Sequence, residues 1–195
     1  TRERDSLNLW TQENFGFTLS IRNSGGHLSL NIQPENEGDN IESRNMADVG
    51  LGYSQIVPVA LQLWAAKNRR ASENIRKTSL RGNTGNPTRT VVVEQPELHL
   101  HPAYQAKIAD VFAGSIKPSS SRNEDSSLII IAETHSSNLI SRLGELISLG
   151  RLDHSDVQIL VFEESSNQTE GAQVRIATFD DEGILKNWPI GFFDA

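Results

Sequence analysis

Three short polar clusters contain the side chains best suited to chemistry, and each adjoins a stretch that predicts a strand or a helix. They are Gly50–Gln55, Glu94–Pro102 and Glu133–Ser136. The second and third directly follow β-branched and apolar runs at residues 90–93 and 128–132. In an open α/β sheet the binding groups lie beyond the carboxyl ends of the strands. We therefore expect these two clusters to lie at one edge of a sheet.

The cluster Glu94–Pro102 combines carboxylates with imidazoles. Glu94 stands where a strand is predicted to end, and a carboxylate there suits Mg²⁺ because a hard cation prefers oxygen ligands. A single acid at the end of a strand is also common as a turn or capping residue. His99 and His101 could form a metal pair, but the absence of cysteine and of an obvious third ligand disfavours that alternative.

The other two clusters suit anions. His135 follows a predicted strand and can donate a hydrogen bond to a phosphate, although it and Glu133 could instead cap the next helix. Gly50 and Gly52 precede a predicted helix, with Ser54 as its capping residue. Backbone amides and the helix dipole favour negative charge at such a place. Because a Gly-x-Gly pair before a helix is weak evidence by itself, the interpretation depends on the order and combination of the three clusters.

The elements that must position these clusters follow from apolar spacing and from turn residues. The predicted elements are a β-hairpin from strands 17–21 and 28–32 around a Gly-Gly turn, helices over 54–67, from Pro102 onward and around 139–147, and strands at 90–93, 128–132, 157–162 and 173–179. Alternation of strands and helices in the centre predicts an α/β fold with a substantially parallel sheet.

Composition and charge exclude several classes of protein. The 195 residues fit one domain, the formal net charge is −7, and the lack of cysteine excludes a disulfide framework. No apolar run approaches the roughly 20 residues of a membrane span and no leader pattern begins the sequence, so we expect a cytoplasmic protein. The segment Lys67–Arg89 has a net charge of +6, which leaves −13 on the remainder. This segment is interpreted as a solvated surface insertion or, alternatively, as a contact for phosphates, such as those of DNA, or for an acidic partner.

In this order the clusters resemble the motifs in the C-terminal half of an ABC-type ATPase head, the class that contains the RecF, SMC and OLD-like ATPases. The run Val49–Gln55 is similar to the signature motif, and Val91–Glu97 resembles Walker B with its following segment. Leu98–Pro102 occupies the D-loop position, and Glu133–Ser136 resembles the switch-histidine region. The same D-loop string and the terminal run Trp188–Asp194 are similar to the DUF3696-type predicted ATPases.

The resemblance implies the C-terminal part of an ABC-ATPase head: a P-loop NTPase-like parallel sheet flanked by helices, with an N-terminal β-hairpin and terminal strands. Residues 1–45 would be the end of the N-terminal lobe, and residues 46–195 would be the signature, Walker B and switch-histidine part, with the basic insertion at about 67–89. The sequence has no Gly-x-x-x-x-Gly-Lys-Ser/Thr, so the resemblance implies that a P-loop lobe precedes Thr1. This segment alone is then expected to be inactive.

The resemblance also implies ATP and Mg²⁺ as cofactors. Glu94 would hold Mg²⁺, Gln95 would orient the attacking water, and His135 would contact the γ-phosphate. Gln95 replaces the usual second acid of Walker B, and an amide cannot accept a proton at neutral pH. Three alternatives stay open: hydrolysis is slow, Glu97 or His135 takes the role of the base, or a positioned water suffices.

The signature residues Gly50, Gly52, Ser54 and Gln55 would bind the γ-phosphate held by a second copy of the chain, so ATP would drive head-to-tail dimerisation. The expected function is an ATPase that acts as a switch for a partner or a fused effector, possible settings being DNA maintenance and anti-phage defence. The alternative is a nucleotide-binding scaffold with little hydrolysis. A Toprim nuclease is disfavoured because the tail after His154 is short and lacks its acid clusters.

Overall fold

Helices and strands alternate along most of the chain. A computed structural model describes residues 2–35, 43–68, 88–116, 128–163 and 172–189. The elements are α1 (Arg2–Phe15), β1 (Phe17–Ser24), β2 (His27–Pro34), β3 (Arg44–Asn45), α2 (Leu51–Lys67), β4 (Arg89–Glu94), α3 (Pro102–Ile116), β5 (Leu128–Glu133), α4 (Ser137–Ser148), a short 3-10 helix (His154–Asp156), β6 (Ile159–Glu163), β7 (Gln173–Phe179) and β8 (Leu185–Lys186). Most of the basic segment and the last five residues of the terminal motif lie outside the described residues.

The predicted β-hairpin is confirmed. β1 and β2 pair antiparallel along all eight residues of each strand, so that Gly25 and Gly26 alone form the turn. Their φ angles of 57° and 85° provide the left-handed backbone that a two-residue hairpin turn requires. Phe17, Leu19 and Ile32 are buried on the face of this hairpin that joins the main core.

α1 precedes the hairpin, although no apolar repeat predicts a helix over residues 2–15. Thr11 and Phe15 are its buried residues, so tertiary contact determines this helix more than its own pattern does. The Asn8 side-chain oxygen accepts a hydrogen bond from the Leu19 backbone N–H at 2.9 Å, and the ring of Phe15 stacks on that of Phe17. These contacts hold α1 against β1.

β4 and β5 form the parallel pair that the alternating pattern predicts. Their register runs from Arg89↔Leu128 to Glu94↔Glu133, so both strands end at the same level. One face packs into the core, and Val91 is 8% exposed there. The opposite face is exposed, since Val92 of β4 is 61% exposed.

α3 and α4 pack against each other, and α3 also packs against β5. α3 begins at the predicted residue, Pro102, and contributes Ile108, Val111 and Phe112 to the core. α4 contributes Leu139, Leu146 and Ile147, and the positive φ of Gly150 follows its end as predicted.

An ion pair joins α3 to α4. The Arg142 guanidinium donates two hydrogen bonds to the Asp110 carboxylate, at 3.0 Å and 2.8 Å. A third contact joins Arg142 to Glu145 at 2.7 Å. Hydrogen bonds to Asp110 and then to Glu145 raise the pKa of Arg142, so the guanidinium stays protonated.

The terminal strands form a separate antiparallel sheet. β7 begins and ends at the predicted residues, whereas β6 starts two residues later than predicted because the short 3-10 helix precedes it. β6 pairs with β7 and β7 with β8. Among the strands that the structure describes, parallel pairing is therefore limited to β4 and β5.

Two glycines bring this terminal sheet against α4. Gly183, in the turn between β7 and β8, has a φ of 78°. A methyl group added at Gly144 of α4 would lie 2.6 Å from the Gly183 carbonyl oxygen and 3.0 Å from the ring of Phe179. The backbones therefore approach so closely that both positions require glycine. Among the described helices, none is long and apolar enough to cross a membrane.

Candidate functional site

The ends of β4 and β5 bring two of the three predicted clusters together. Glu94 and Glu133 are register partners, and both side chains are exposed. The Gln95 N–H donates to the Glu133 carbonyl at 2.9 Å, which extends the strand pairing by one step. The prediction that these two clusters share one edge of a sheet is confirmed.

The segment between β4 and α3, Gln95–His101, is a tight double turn. Leu98 N–H donates to the Gln95 carbonyl at 3.1 Å, and Leu100 N–H donates to the Glu97 carbonyl at 3.0 Å. Gln95 and His99 have φ angles of 41° and 61°, which are unfavourable for residues with a side chain. Backbone strain of this kind is concentrated at functional sites, and here it occurs twice within five residues.

Glu97 lies inside this segment and is 7% exposed. Its Oε1 accepts a hydrogen bond from the His135 backbone N–H at 2.7 Å. Its Oε2 is also buried and has no hydrogen-bond partner among the described residues. Glu97 therefore contacts the cluster Glu133–Ser136 directly, while the His135 side chain stays exposed.

Gln105 of α3 makes a second link between the same two segments. Its Nε2 donates to the Leu100 carbonyl at 3.0 Å, and its Oε1 accepts from Ser136 Oγ at 2.7 Å and from Asn138 Nδ2 at 3.1 Å. Ser136 Oγ in turn accepts from the Leu139 N–H at 3.0 Å. Ser136 is thus the N-cap of α4, a place that the sequence had left to Glu133 or His135.

No sequence signal singles out Gln105, because a glutamine in the first turn of an amphipathic helix is ordinary. Its importance comes from the packing of α3 against α4, which brings its amide within hydrogen-bond distance of Ser136, 31 residues further along the chain. Only the three-dimensional arrangement shows this link.

The third cluster lies against the same segment. A methyl group added at Gly52 would be 3.3 Å from Leu100 Cδ2 and 3.7 Å from the His99 carbonyl oxygen. The start of α2 therefore touches the turn that holds Glu97. Next to Gly52 in α2, the ring of Tyr53 meets the ring of Phe17 edge-on at 5.7 Å. The hairpin therefore supports the first turn of α2.

The expectation that Ser54 caps α2 is wrong. The helix begins three residues earlier than predicted, with Gly50 as its N-cap and no side-chain cap hydrogen bond. Ser54 already lies inside the helix, and its hydroxyl donates to the Leu51 carbonyl at 2.8 Å. Pro58, four residues further on, has no N–H to donate to the Ser54 carbonyl. The amides of the first turn of α2 are still those that a helix end offers to an anion.

His101 acts as a helix-capping residue. Its carbonyl accepts from the Tyr104 N–H at 2.8 Å, and its Nδ1 accepts from the Ala103 N–H at 3.3 Å. Within the described ranges, no three His, Asp or Glu side chains gather into a metal-binding group. The alternative of a metal pair at His99 and His101 therefore gains no support.

The two ends of the basic segment contact helix ends. Lys67 Nζ donates to the Gly114 carbonyl in the last turn of α3 at 2.9 Å, and Arg89 donates to the Ala66 carbonyl near the end of α2. Cations are favourable at the C-termini of helices. The other five basic side chains of the segment lie outside the described residues.

A solved structure of an Smc head shares this fold, and two further structures of SMC heads are similar at lower scores. A structure of the Smc head bound to the C-winged helix domain of ScpA has a TM-score of 0.50 and 13% identity, over 91% of this chain and 44% of that chain. A structure from work on ATP-driven dimerisation and DNA-stimulated activation of SMC ATPases has a TM-score of 0.49 and 14% identity, over 93% of this chain and 88% of that one. The Smc head domain of Pyrococcus furiosus with an extended coiled coil, bound to the C-terminal domain of ScpA, has a TM-score of 0.47 and 11% identity, over 90% and 34%.

The fold is therefore that of an ABC-type ATPase head, as the motifs predicted. The profile of the AAA ATPase domain family matches residues 4–140, and that of a protein of unknown function, DUF3696, matches residues 152–195. Because the first match covers more than half of it, the chain belongs to the AAA ATPase domain family. The chain therefore belongs to the broad class of ATP-binding ATPases. No curated protein matches the sequence.

Proposed function

We propose that this segment is the signature, Walker B and switch-histidine part of a head that dimerises around ATP and hydrolyses it. The observation that supports this most is the meeting of the three clusters. Gly52 touches Leu100 in the turn between β4 and α3, and Glu97 in the same turn binds the backbone of His135. Groups that are 83 residues apart in the sequence thus form one surface.

The strand-end side of this surface suits Mg²⁺ and the phosphates of ATP. The Glu94 carboxylate is exposed at the end of β4 and offers the oxygen ligands that Mg²⁺ prefers. Bound Mg²⁺ would neutralise charge that develops on the phosphates. Gln95 would orient water, and His135 would donate to the γ-phosphate. The N-terminal lobe, of which residues 1–45 would be the end, would supply the P-loop.

The start of α2 would serve the opposite protomer. The N–H groups at the start of this helix and its dipole favour a phosphate, and Gly50 and Gly52 let that phosphate approach the backbone. Ser54 and Gln55 are the polar side chains of this turn, and both are half-buried. A head-to-tail dimer would thereby place two such turns over two nucleotides. A partner or fused effector would respond to this dimer, and the segment Lys67–Arg89 would contact DNA.

A pair of arginine substitutions on α2 tests this proposal in the full-length protein. S54R places a charge where the partner's γ-phosphate would bind, and Q62R places the same charge on an exposed position of the same helix. We expect S54R to weaken ATP-dependent dimerisation by roughly thirtyfold, because the long Arg side chain would occupy the space of the γ-phosphate and overpacking of this kind costs ~2 kcal/mol. Nucleotide binding to one protomer should not change.

Light scattering after size-exclusion chromatography measures the dimer, and a fluorescent ATP analogue measures binding. Q62R should behave as wild type in both measurements. If S54R still dimerises with wild-type affinity, the start of α2 does not face the partner and the signature assignment is incorrect.

The alternative function is a scaffold that holds ATP and scarcely hydrolyses it. One observation favours it: the side chain at position 95 is an amide, which cannot take up a proton at neutral pH, so a base is missing at the usual place. The backbone N–H of Gln95 donates to the Glu133 carbonyl. Single-turnover hydrolysis by wild type and Q95E separates the two functions. A scaffold would hydrolyse ATP negligibly as wild type and gain turnover as Q95E, whereas similar rates in both would mean that position 95 does not hold the base.

A further inference from the structure

Two side chains join the D-loop segment, Leu98–Pro102, to the switch-histidine segment, Glu133–Ser136. The carboxylate of Glu97, immediately before the D-loop segment, accepts from the His135 backbone N–H at 2.7 Å. The amide of Gln105 donates to the Leu100 carbonyl at 3.0 Å and accepts from the Ser136 hydroxyl at 2.7 Å. Both links are short, and Glu97 and Ser136 are 7% and 5% exposed.

We propose that Glu97 and Gln105 are positioning residues that make these two segments move as one unit. The proposal rests on the proposed function, because it assigns Glu97 a role within that site. In the resulting mechanism, a displacement of the D-loop segment by a second copy of the chain is passed to the backbone of His135. The direction of the exposed His135 ring, and so its reach to the γ-phosphate, then depends on whether the partner is present.

The geometry favours this role over that of a general base. A base must meet a water that is itself in contact with the phosphate. The Oε1 of Glu97 already holds the His135 N–H, and its Oε2 is buried inside the turn. By contrast, a buried acceptor for a backbone N–H fixes the main chain at one point, which is what a positioning residue does.

The strain in the same turn supports the coupling. Gln95 and His99 are held at positive φ on either side of Glu97. Residues persist in such conformations only when their surroundings determine them strongly. A turn fixed at both ends and bonded at its centre transmits a displacement, whereas a relaxed loop would absorb it.

Two substitutions at Glu97 distinguish a base from a positioning residue. E97Q keeps an oxygen that can accept from the His135 N–H, but it cannot take up a proton at neutral pH. E97L has a similar size and removes the acceptor. Since Oε2 has no described partner, the amide nitrogen of E97Q breaks no described hydrogen bond. Q105L removes the second link without touching Glu97, and so remains informative if E97L fails to fold.

The primary measurement is hydrogen exchange of the peptide that contains Thr134–Asn138, in the full-length protein with and without ATP. We expect exchange at least about tenfold faster in E97L and Q105L than in wild type, because a hydrogen bond to a charged or buried partner is lost. E97Q should retain wild-type protection. Unchanged exchange in both E97L and Q105L would overturn the proposal, whatever the ATPase activity is.

Single-turnover hydrolysis provides the second measurement. E97Q should hydrolyse ATP within about threefold of wild type, whereas E97L and Q105L should be slower by roughly tenfold or more, with little change in ATP affinity. Loss of turnover in E97Q with protection retained would make Glu97 the base and overturn the positioning role. If wild type itself fails to hydrolyse ATP, the proposed function fails, and the exchange measurement still decides the coupling.

Discussion

Gly144 of α4 and Gly183 of the β7–β8 turn pack backbone against backbone. A methyl group on either residue would collide with the carbonyl group of the other, and Gly183 also needs its φ of 78°. This contact joins α4, whose first turn ends the match to the AAA ATPase domain family, to the part of the chain that matches DUF3696.

The first prediction concerns this glycine pair. G183A should lower the free energy of unfolding by about 2–4 kcal/mol, since overpacking adds to the strain of a left-handed backbone. G144A should lower it by less, ~1–3 kcal/mol, because alanine favours a helix. Urea unfolding measures both. G114A is the matched control: Gly114 lies in α3 with nothing within 4 Å of an added methyl group, so its stability should be unchanged or higher.

A second prediction isolates the strain at His99, whose φ is 61°. H99G and H99A both remove the imidazole, but only glycine adopts this backbone without strain. H99G should therefore be more stable than H99A by about 1 kcal/mol in urea unfolding. At an ordinary helical position the preference for glycine over alanine should reverse: in α3, A103G should be less stable than wild type by up to about 1 kcal/mol. Equal stability of the two His99 variants would contradict the assigned backbone conformation.

The ion pair between α3 and α4 leads to a third prediction. Asp110 and Arg142 share two charge-assisted hydrogen bonds, and their side chains are 26% and 23% exposed. A double-mutant cycle of D110N and R142Q should give a coupling of about 1–2 kcal/mol. The cross-strand pair Glu163–Arg175, which uses one carboxylate oxygen, should give only a few tenths of a kcal/mol. If the coupling free energy at Asp110–Arg142 is no larger than that at Glu163–Arg175, the packing of α3 against α4 does not depend on this ion pair.

The fourth prediction concerns pH and the β7–β8 turn. The Lys186 ammonium, and then the Ile184 N–H, lower the pKa of Asp180. A lowered folded-state pKa gives stability that is present above the unfolded value of about 3.9 and is lost as pH falls through the folded value. Asp180 raises the pKa of Lys186, so that contribution is lost at the alkaline end, above about 10.4.

D180N tests this sign because asparagine keeps a side-chain oxygen for the Ile184 N–H and removes the charge. The difference in melting temperature between wild type and D180N should be constant from about pH 5 to 9 and should shrink below about pH 4. A difference that grows on acidification would contradict the assignment.

Sequence patterns predicted the elements that local rules control. The hairpin follows from alternation and from a Gly-Gly turn, β5 follows from a continuous apolar run, and the parallel pairing of β4 with β5 follows from the helix between them. α1 was missed because its burial is limited to Thr11 and Phe15, which form no repeat. Ser54 was misplaced because the helix start is set by the non-helical backbone of Gly50, which apolar spacing does not report.

The site was predictable in its clusters but not in its connections. Motif order placed Glu94 and His135 at one edge because parallel strands end together. The links through Glu97 and Gln105 depend on how α3 lies across the strand ends, which no spacing encodes. For the same reason the glycine contact between α4 and the terminal sheet has no trace in the local sequence.

The Tyr53 ring, edge-on against Phe17, gives this segment a position for a fluorine NMR probe. The segment contains two tyrosines, Tyr53 in the first turn of α2 and Tyr104 in the first turn of α3, the helix that directly follows the D-loop segment. Fluorotyrosine incorporated into these residues would therefore yield two resonances, one from each of two helix starts beside the surface that we propose faces the nucleotide. Any spectral change on adding a ligand would then originate where the chemistry is expected.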